Sequence, residues 1–331
     1  MLVIRSRFRD TVPPRPAILT LVVLTLTLLA GLVACSGSAQ PPRSAPAAPA
    51  TGRAPGAEDT PAGAASSSAG RHPASPRPTS PLTSAPAMPA PAPKPSVTVW
   101  NVANPDGTQV TIARFPRGFR FALHAGYEDP GPLGFAAGPA VTAAERPKLV
   151  AAFNGGFKLS TGAGGYQQEG RVLNGLRPGL ASLVIDVLGH AEVGVWGVDV
   201  PRPGEQVRSV RQNLMPLVQR GGFSPSVDDI GNWGATLGGG SDVARSALAE
   251  DGSGNLLYAG SMYATPRDLA AALIRAGART GMELDINPQW VQLAVALVPG
   301  GALVAGVPGQ HRPATQFLTG WSRDFVTVLA P

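Results

Sequence analysis

The chain has 331 residues and one cysteine, with 27 Lys/Arg against 21 Asp/Glu and a formal net charge of +6. Nine of the basic and three of the acidic residues precede position 97. From there on the two signs balance at 18 each, so the positive charge belongs to the N-terminal part alone. A charge-balanced globular region argues against nucleic acid as a partner, and a lone cysteine leaves no disulfide framework and no cysteine metal site.

Residues 1–15 carry Arg5, Arg7, Arg9 and Arg15 against Asp10, and residues 16–34 carry no charge at all. A cationic start, an apolar run and small residues before a cut site make a secretory signal. The apolar run approaches the roughly 20 residues that span a bilayer, so an uncleaved signal anchor is the alternative. Leu32-Val33-Ala34-Cys35 resembles the bacterial lipobox, which implies lipidation at Cys35 and a mature chain beginning there. Both readings put the rest of the chain outside the cytoplasmic membrane, and the lipobox reading holds it to that membrane by a lipid anchor.

Residues 36–96 contain 15 prolines among Ala, Ser, Thr and Gly, with no apolar period. Such a segment buries too little apolar surface to offset chain entropy, so it is expected to be a disordered linker. Its reach is about 45 Å as a flexible coil and about 190 Å as polyproline helix.

Residues 97–331 are long enough for one domain with a sizeable core. Short β-rich runs recur at 96–102, 109–113, 119–124, 148–153, 181–187, 192–198, 255–259 and 325–329. Turn clusters such as Asn104-Pro105-Asp106-Gly107 and Asp251-Gly252-Ser253-Gly254 separate them. The clearest helix spans 266–276. Thr265 is placed to cap it, Pro266 fits the first turn, Asp268 stands three residues after the cap, and Gly277 ends it. A shorter helix is expected over 142–146. The strand before the long helix and the strand-like 282–287 after it make a strand–helix–strand unit. The expected class is α+β, with a mixed, largely antiparallel sheet and a few flanking helices.

Three stretches carry chemistry. In Met282-Glu283-Leu284-Asp285-Ile286-Asn287 a strand places the three apolar residues on one face and Glu283, Asp285 and Asn287 on the other. Two carboxylates and an amide on one face are either a wet outer face or a site, since burying them unpaired is costly. Pro288 after them suits a strand end or a sheet edge. Ala152-Phe153-Asn154-Gly155-Gly156-Phe157 reads either as an Asn-Gly hairpin turn or as a backbone that approaches a ligand closely and cradles an anion. Gly238-Gly239-Gly240 before Arg245 reads either as a surface loop or as room for a phosphate or carboxylate gripped by the guanidinium. The motifs of α/β-hydrolases, P-loop proteins, zincins and dinucleotide-binding folds are absent, and His124, His190 and His311 are scattered, so neither a metal nor a cofactor is indicated.

Taken in order, these pieces resemble the phosphodiester glycosidase family. Ala152–Phe157 is similar to its A-F-N-G-G-F, Leu217-Val218-Gln219-Arg220-Gly221 to its L-V-x-x-G, and Arg245-Ser246-Ala247-Leu248 to its R-[ST]-A-[LI]. Asp251-Gly252 with Leu256-Leu257, the helix 269–278 and Glu283-Leu284-Asp285 complete the series, which covers about 149–328. The family continues Asp-Gly-Gly-Gly-Ser where this chain has Asp285-Ile286-Asn287-Pro288-Gln289-Trp290, a bulkier and stiffer loop. The resemblance implies hydrolysis of a sugar-1-phosphodiester, with a carbohydrate or glycosyl-phosphate substrate. Asp285 would then be base or nucleophile, oriented by Glu283 or Asn287. Arg245 and the Asn154-Gly155-Gly156 amides would stabilise phosphate charge, with Trp290 among the substrate-binding residues; in the glycan-binding alternative Trp233, Trp290 and Trp321 would stack on sugar rings. A phosphate leaving group is weakly basic, so acid assistance matters little. The alternatives are a wall-glycan-binding protein without catalysis and an envelope scaffold without a ligand.

Overall fold

The computed structural model describes residues 96–234 and 239–331. The predicted signal, the lipobox Cys35, the linker up to residue 95 and Gly238 of the glycine run lie outside the described residues. Among the described residues no helix is long and apolar enough to cross a membrane.

The domain is built from three sheets. The largest has seven strands in the order Thr98–Ala103, Gln109–Phe115, Leu256–Ala264, Val243–Asp251, Ala278–Glu283, Val218–Gln219 and Gly222–Phe223. A second sheet orders Leu303–Ala305, Leu293–Ala296, Leu149–Asn154, Phe325–Leu329 and Arg120–His124, and a third orders Arg171–Asn174, Tyr166–Gln168, Val207–Gln212, Ala181–Asp186 and Ala191–Val195. Neighbouring strands pair antiparallel. Leu256–Ala264 and Ala278–Glu283 both pair with Val243–Asp251, so they run parallel to each other with one strand between them. The expected strand–helix–strand unit is therefore present, with a third strand inserted.

The helix Pro266–Arg275 forms for the reasons its sequence gives. Thr265 accepts from the Asp268 N–H, and Asp268 reaches back to the Thr265 N–H at 3.0 Å, closing the capping box. Leu269, Ala270 and Leu273 pack on Ala247, Ala249, Leu257 and Ala259 of the large sheet. The opposite face of that sheet meets the other two sheets across Leu248, Tyr258, Phe115, Phe153 and Tyr166. The eight β-rich runs expected from the sequence are all found as strands, their ends shifted by up to five residues.

Three expectations are corrected. No helix forms over 142–146. Glu145 turns back so that one carboxylate oxygen bonds the Thr142 N–H and the other meets His124 at 2.9 Å, and only a 3-10 turn, Arg146–Lys148, follows. Asn154-Gly155 is not a hairpin turn, because Leu149–Asn154 pairs with Leu293–Ala296 and Phe325–Leu329 instead of with the segment after it. The strand 282–287 ends early, at Glu283, and both of its faces are buried, so there is no wet face.

Candidate active site

The ends of three strands meet where Leu149–Asn154, Val243–Asp251 and the chain after Ala278–Glu283 come together. Asn154 is the hub of this meeting and is 2 % exposed. Its Nδ2 donates to Ser246 Oγ and to the Gly155 carbonyl, both at 2.9 Å. Its Oδ1 accepts from the Tyr258 hydroxyl and the Gln292 N–H, both at 3.1 Å. Ser246 Oγ in turn donates to the Asp285 carbonyl and accepts from the Asp285 N–H at 3.1 Å. A fully satisfied polar chain of this kind is rigid, and it fixes the Asp285 backbone.

Asp285 stands in the wall of a cavity of about 660 Å³, together with Phe157, Lys158, Asn232, Asn287, Trp290 and Arg323. Its Oδ1 accepts the Asn287 N–H at 2.9 Å, and its Oδ2 lies 3.8 Å from Arg323 Nη2. Burial pushes the Asp285 carboxyl up to about 6, against the pull of Arg323 and the Asn287 N–H and with a further push from Asp324. Arg323, 4 % exposed, donates from Nη2 to the Gly156 carbonyl at 3.1 Å and keeps Nε 3.4 Å from Asp129 Oδ2. Its guanidinium lies 5.7 Å from the centre of the Trp290 ring. The cavity thus joins a carboxylate raised to about 6, two cations, Arg323 and Lys158, and an aromatic wall.

Of the residues singled out in the sequence, Asp285, Asn287 and Trp290 line this cavity. Arg245 and Glu283 do not. Both are fully buried and pair at 2.7 Å, and the guanidinium also donates to the carbonyls of Ala264, Trp233 and Ser241. Burial pushes Glu283 up to about 8 against the attraction of Arg245, and its Oε2 has no hydrogen-bond partner. Arg245 therefore braces the chain on both sides of residues 234–240, and grips nothing in the cavity.

The anion cradle expected of Asn154-Gly155-Gly156 is not formed either. The Gly155 N–H is donated to the Asp324 carbonyl at 2.9 Å, and a Cβ at Gly155 would stand 2.0 Å from Asp324 Oδ2. A Cβ at Gly156 would meet the Arg211 guanidinium at 3.0 Å. These glycines serve close packing against a second buried pair, Arg211 and Asp324, at 2.7 Å. Trp233 and Trp321 are buried in the core, which removes them as sugar-stacking surfaces. Among the described residues no cluster of His, Cys, Asp and Glu is arranged to hold a metal ion.

Arg323 is the cavity residue that sequence reasoning missed. Pairing of Phe325 with Asn154 carries Ser322-Arg323-Asp324 to the site. The one local signal was an Arg-Asp pair opening an apolar strand, which alone does not distinguish a site from a solvated strand end.

No family model matches the chain, and no curated protein does. Solved structures show a distant likeness of fold. The zebrafish N-acetylglucosamine-1-phosphodiester alpha-N-acetylglucosaminidase catalytic domain, auto-inhibited by its pro-peptide, is 17 % identical with a TM-score of 0.47, over 73 % of this chain and 84 % of that one. A hypothetical protein from Synechocystis is 14 % identical with a TM-score of 0.43, over 71 % of this chain and 62 % of that one. At these values the likeness transfers neither an activity nor a residue role.

Proposed function

We propose that the chain is an extracytoplasmic hydrolase of sugar-1-phosphodiesters, acting on an envelope glycan or glycoconjugate and held to the membrane through lipid on Cys35. The observation that carries the catalytic part is Asp285, a buried carboxylate in a cavity wall with Arg323 3.8 Å from it.

In this reading the ionised Asp285 takes a proton from a water molecule as the water oxygen bonds the anomeric carbon. The bond from that carbon to the phosphate oxygen breaks, and its electron pair stays on the phosphate. Arg323 balances the charge of the phosphodiester and of the departing phosphate, the part that the resemblance gives to Arg245. Trp290 and Phe157 offer the sugar apolar faces. The Asn287 N–H holds one Asp285 oxygen, leaving Oδ2 for the water.

Glycan binding without cleavage is the second reading. It is favoured by the Asn287–Trp290 turn, where Asn287 Oδ1 accepts the Gln289 N–H at 2.9 Å and Trp290 lines the cavity that Asp285 also lines. Sugar release from synthetic glycosyl phosphodiesters by the purified full chain separates the two. Turnover abolished by Asp285→Asn supports the hydrolase. Glycan bound by the parent without any turnover supports the binding protein.

A further inference from the structure

Ser246, the residue that holds Asp285, belongs to a row that crosses the large sheet. Ser246 pairs with Gly260, Gly260 with Thr111, and Thr111 with Asn101. Directly paired residues share one face of a sheet. The row therefore lies on the face where Tyr258, two residues before Gly260, reaches Asn154. Thr111 Oγ1 donates to Asn101 Oδ1 at 2.9 Å, so both side chains stand together on that face. At Gly260 a Cβ would come within 2.7 Å of Val307, so only glycine lets the 307–309 segment lie this close over the sheet.

Between that segment and the far end of the row is a cavity of about 450 Å³. Besides the His311 imidazole, its polar side chains are the amides and hydroxyls of Asn101, Gln109, Thr108, Thr111 and Ser261, and it has no Asp, Glu, Lys or Arg in its lining. Apolar surface comes from Met262, Val307 and Pro308, and Tyr263 stands at its edge with 76 % of its surface exposed. Neutral hydrogen-bonding groups beside apolar and aromatic surface suit a sugar ring, which has hydroxyls around its edge and carbon on its faces. The same set holds no Lys or Arg to balance the charge of a phosphate.

This cavity neighbours the catalytic one. Gln289 Nε2 and His311 Nδ1 are 2.8 Å apart, and they tie the Asn287–Trp290 turn of the first cavity to the wall of the second. Along the row, Thr111 and Asn101 lie about 10 and 14 Å from Ser246, two and three strand spacings away.

We infer that this second cavity is a subsite for a neutral sugar, occupied by a further unit of the glycan whose phosphodiester reaches Asp285. The inference deepens the proposed function and takes from it only that the substrate is a glycan. The catalytic cavity handles the charged linkage, and the second cavity reads an uncharged neighbour.

The test is binding of neutral methyl glycosides of glucose, galactose, mannose, N-acetylglucosamine and arabinose to the full chain, by saturation-transfer NMR and calorimetry. At least one binds. Tyr263→Ala, a truncation at an exposed position, raises its Kd about tenfold, and Thr111→Val raises it as well. Absence of binding by every glycoside, or binding that is indifferent to Tyr263→Ala and Thr111→Val, overturns the subsite. Sugar binding with the expected variant pattern, but no turnover of any glycosyl phosphodiester, keeps the subsite and removes the hydrolase reading. Turnover without neutral-sugar binding does the reverse.

Discussion

Arg245 Nη1 donates to Glu283 Oε1 across 2.7 Å with neither side chain exposed to solvent. A buried pair of this kind contributes little net stability against well-packed apolar residues, but removing Arg245 leaves the Glu283 carboxyl and the Ala264, Trp233 and Ser241 carbonyls without their donor. Arg245→Ala is therefore expected to cost about 3–5 kcal/mol of folding stability. The double variant Arg245→Met with Glu283→Leu should recover part of that loss. Chemical denaturation of the single and double variants checks both outcomes. A well-folded Arg245→Ala protein whose turnover alone collapses would return Arg245 to the chemistry.

Two buried carboxyls tie stability to pH. Glu283 sits at about 8 in the fold against 4.5 for an ordinary glutamate, and Asp285 at about 6 against 3.8. Between each pair of values the unfolded chain has released a proton that the fold retains. The folded state binds more protons there, so stability falls as pH rises from about 4 to about 8. Melting temperatures across that range should decline, and Glu283→Gln should flatten the upper part of the decline. A melting temperature that rises from pH 5 to pH 8 contradicts this account.

Gly155→Ala is expected to destabilise strongly, because the new Cβ would stand 2.0 Å from the Asp324 carboxylate. Asp324 cannot give way without loosening Arg211, which also holds the Phe157 carbonyl at the cavity edge. Loss of soluble protein, or unfolding at a clearly lower denaturant concentration, is the readout. A parent-like midpoint would show that the pair is free to move.

The core and the candidate site were legible to different depths, for physical reasons. Local rules gave the helix Pro266–Arg275, because its capping box is complete within four residues. Arg220-Gly221 stood in the sequence only as part of the L-V-x-x-G resemblance. It joins Val218–Gln219 to Gly222–Phe223, and both turn residues have positive φ, 53° and 78°, as a two-residue hairpin turn requires. Asp285 stood out as a costly residue in an apolar strand. Arg245 was misread because the glycine run before it suggested openness, whereas the strand Val243–Asp251 that it enters is central and covered on both faces. Arg323 was invisible because only the long-range pairing of Phe325 with Asn154 brings it to Asp285.

Arg323→Ala should lower kcat/KM by about 2–4 kcal/mol of transition-state stabilisation, roughly 30- to 1000-fold, while the fold persists. Arg323→Lys keeps the charge but loses the planar fork that also contacts Gly156 and Asp129, and should restore only part. Steady-state kinetics on one glycosyl phosphodiester, with melting curves as the fold control, checks this. Full activity in Arg323→Ala would remove the arginine from charge stabilisation.

The most direct test of the central claim is the pH profile of kcat/KM for a glycosyl phosphodiester, measured on the parent chain and on Asp285→Asn. A base that titrates near 6 must be ionised to accept a proton, so the parent should lose activity as pH falls through about 6. Asp285→Asn should lose most turnover at every pH. It should also melt a few degrees higher than the parent at pH 7, since it no longer buries an ionised carboxylate. A variant with parental turnover and the same acid limb would contradict the assignment of Asp285 as the catalytic base.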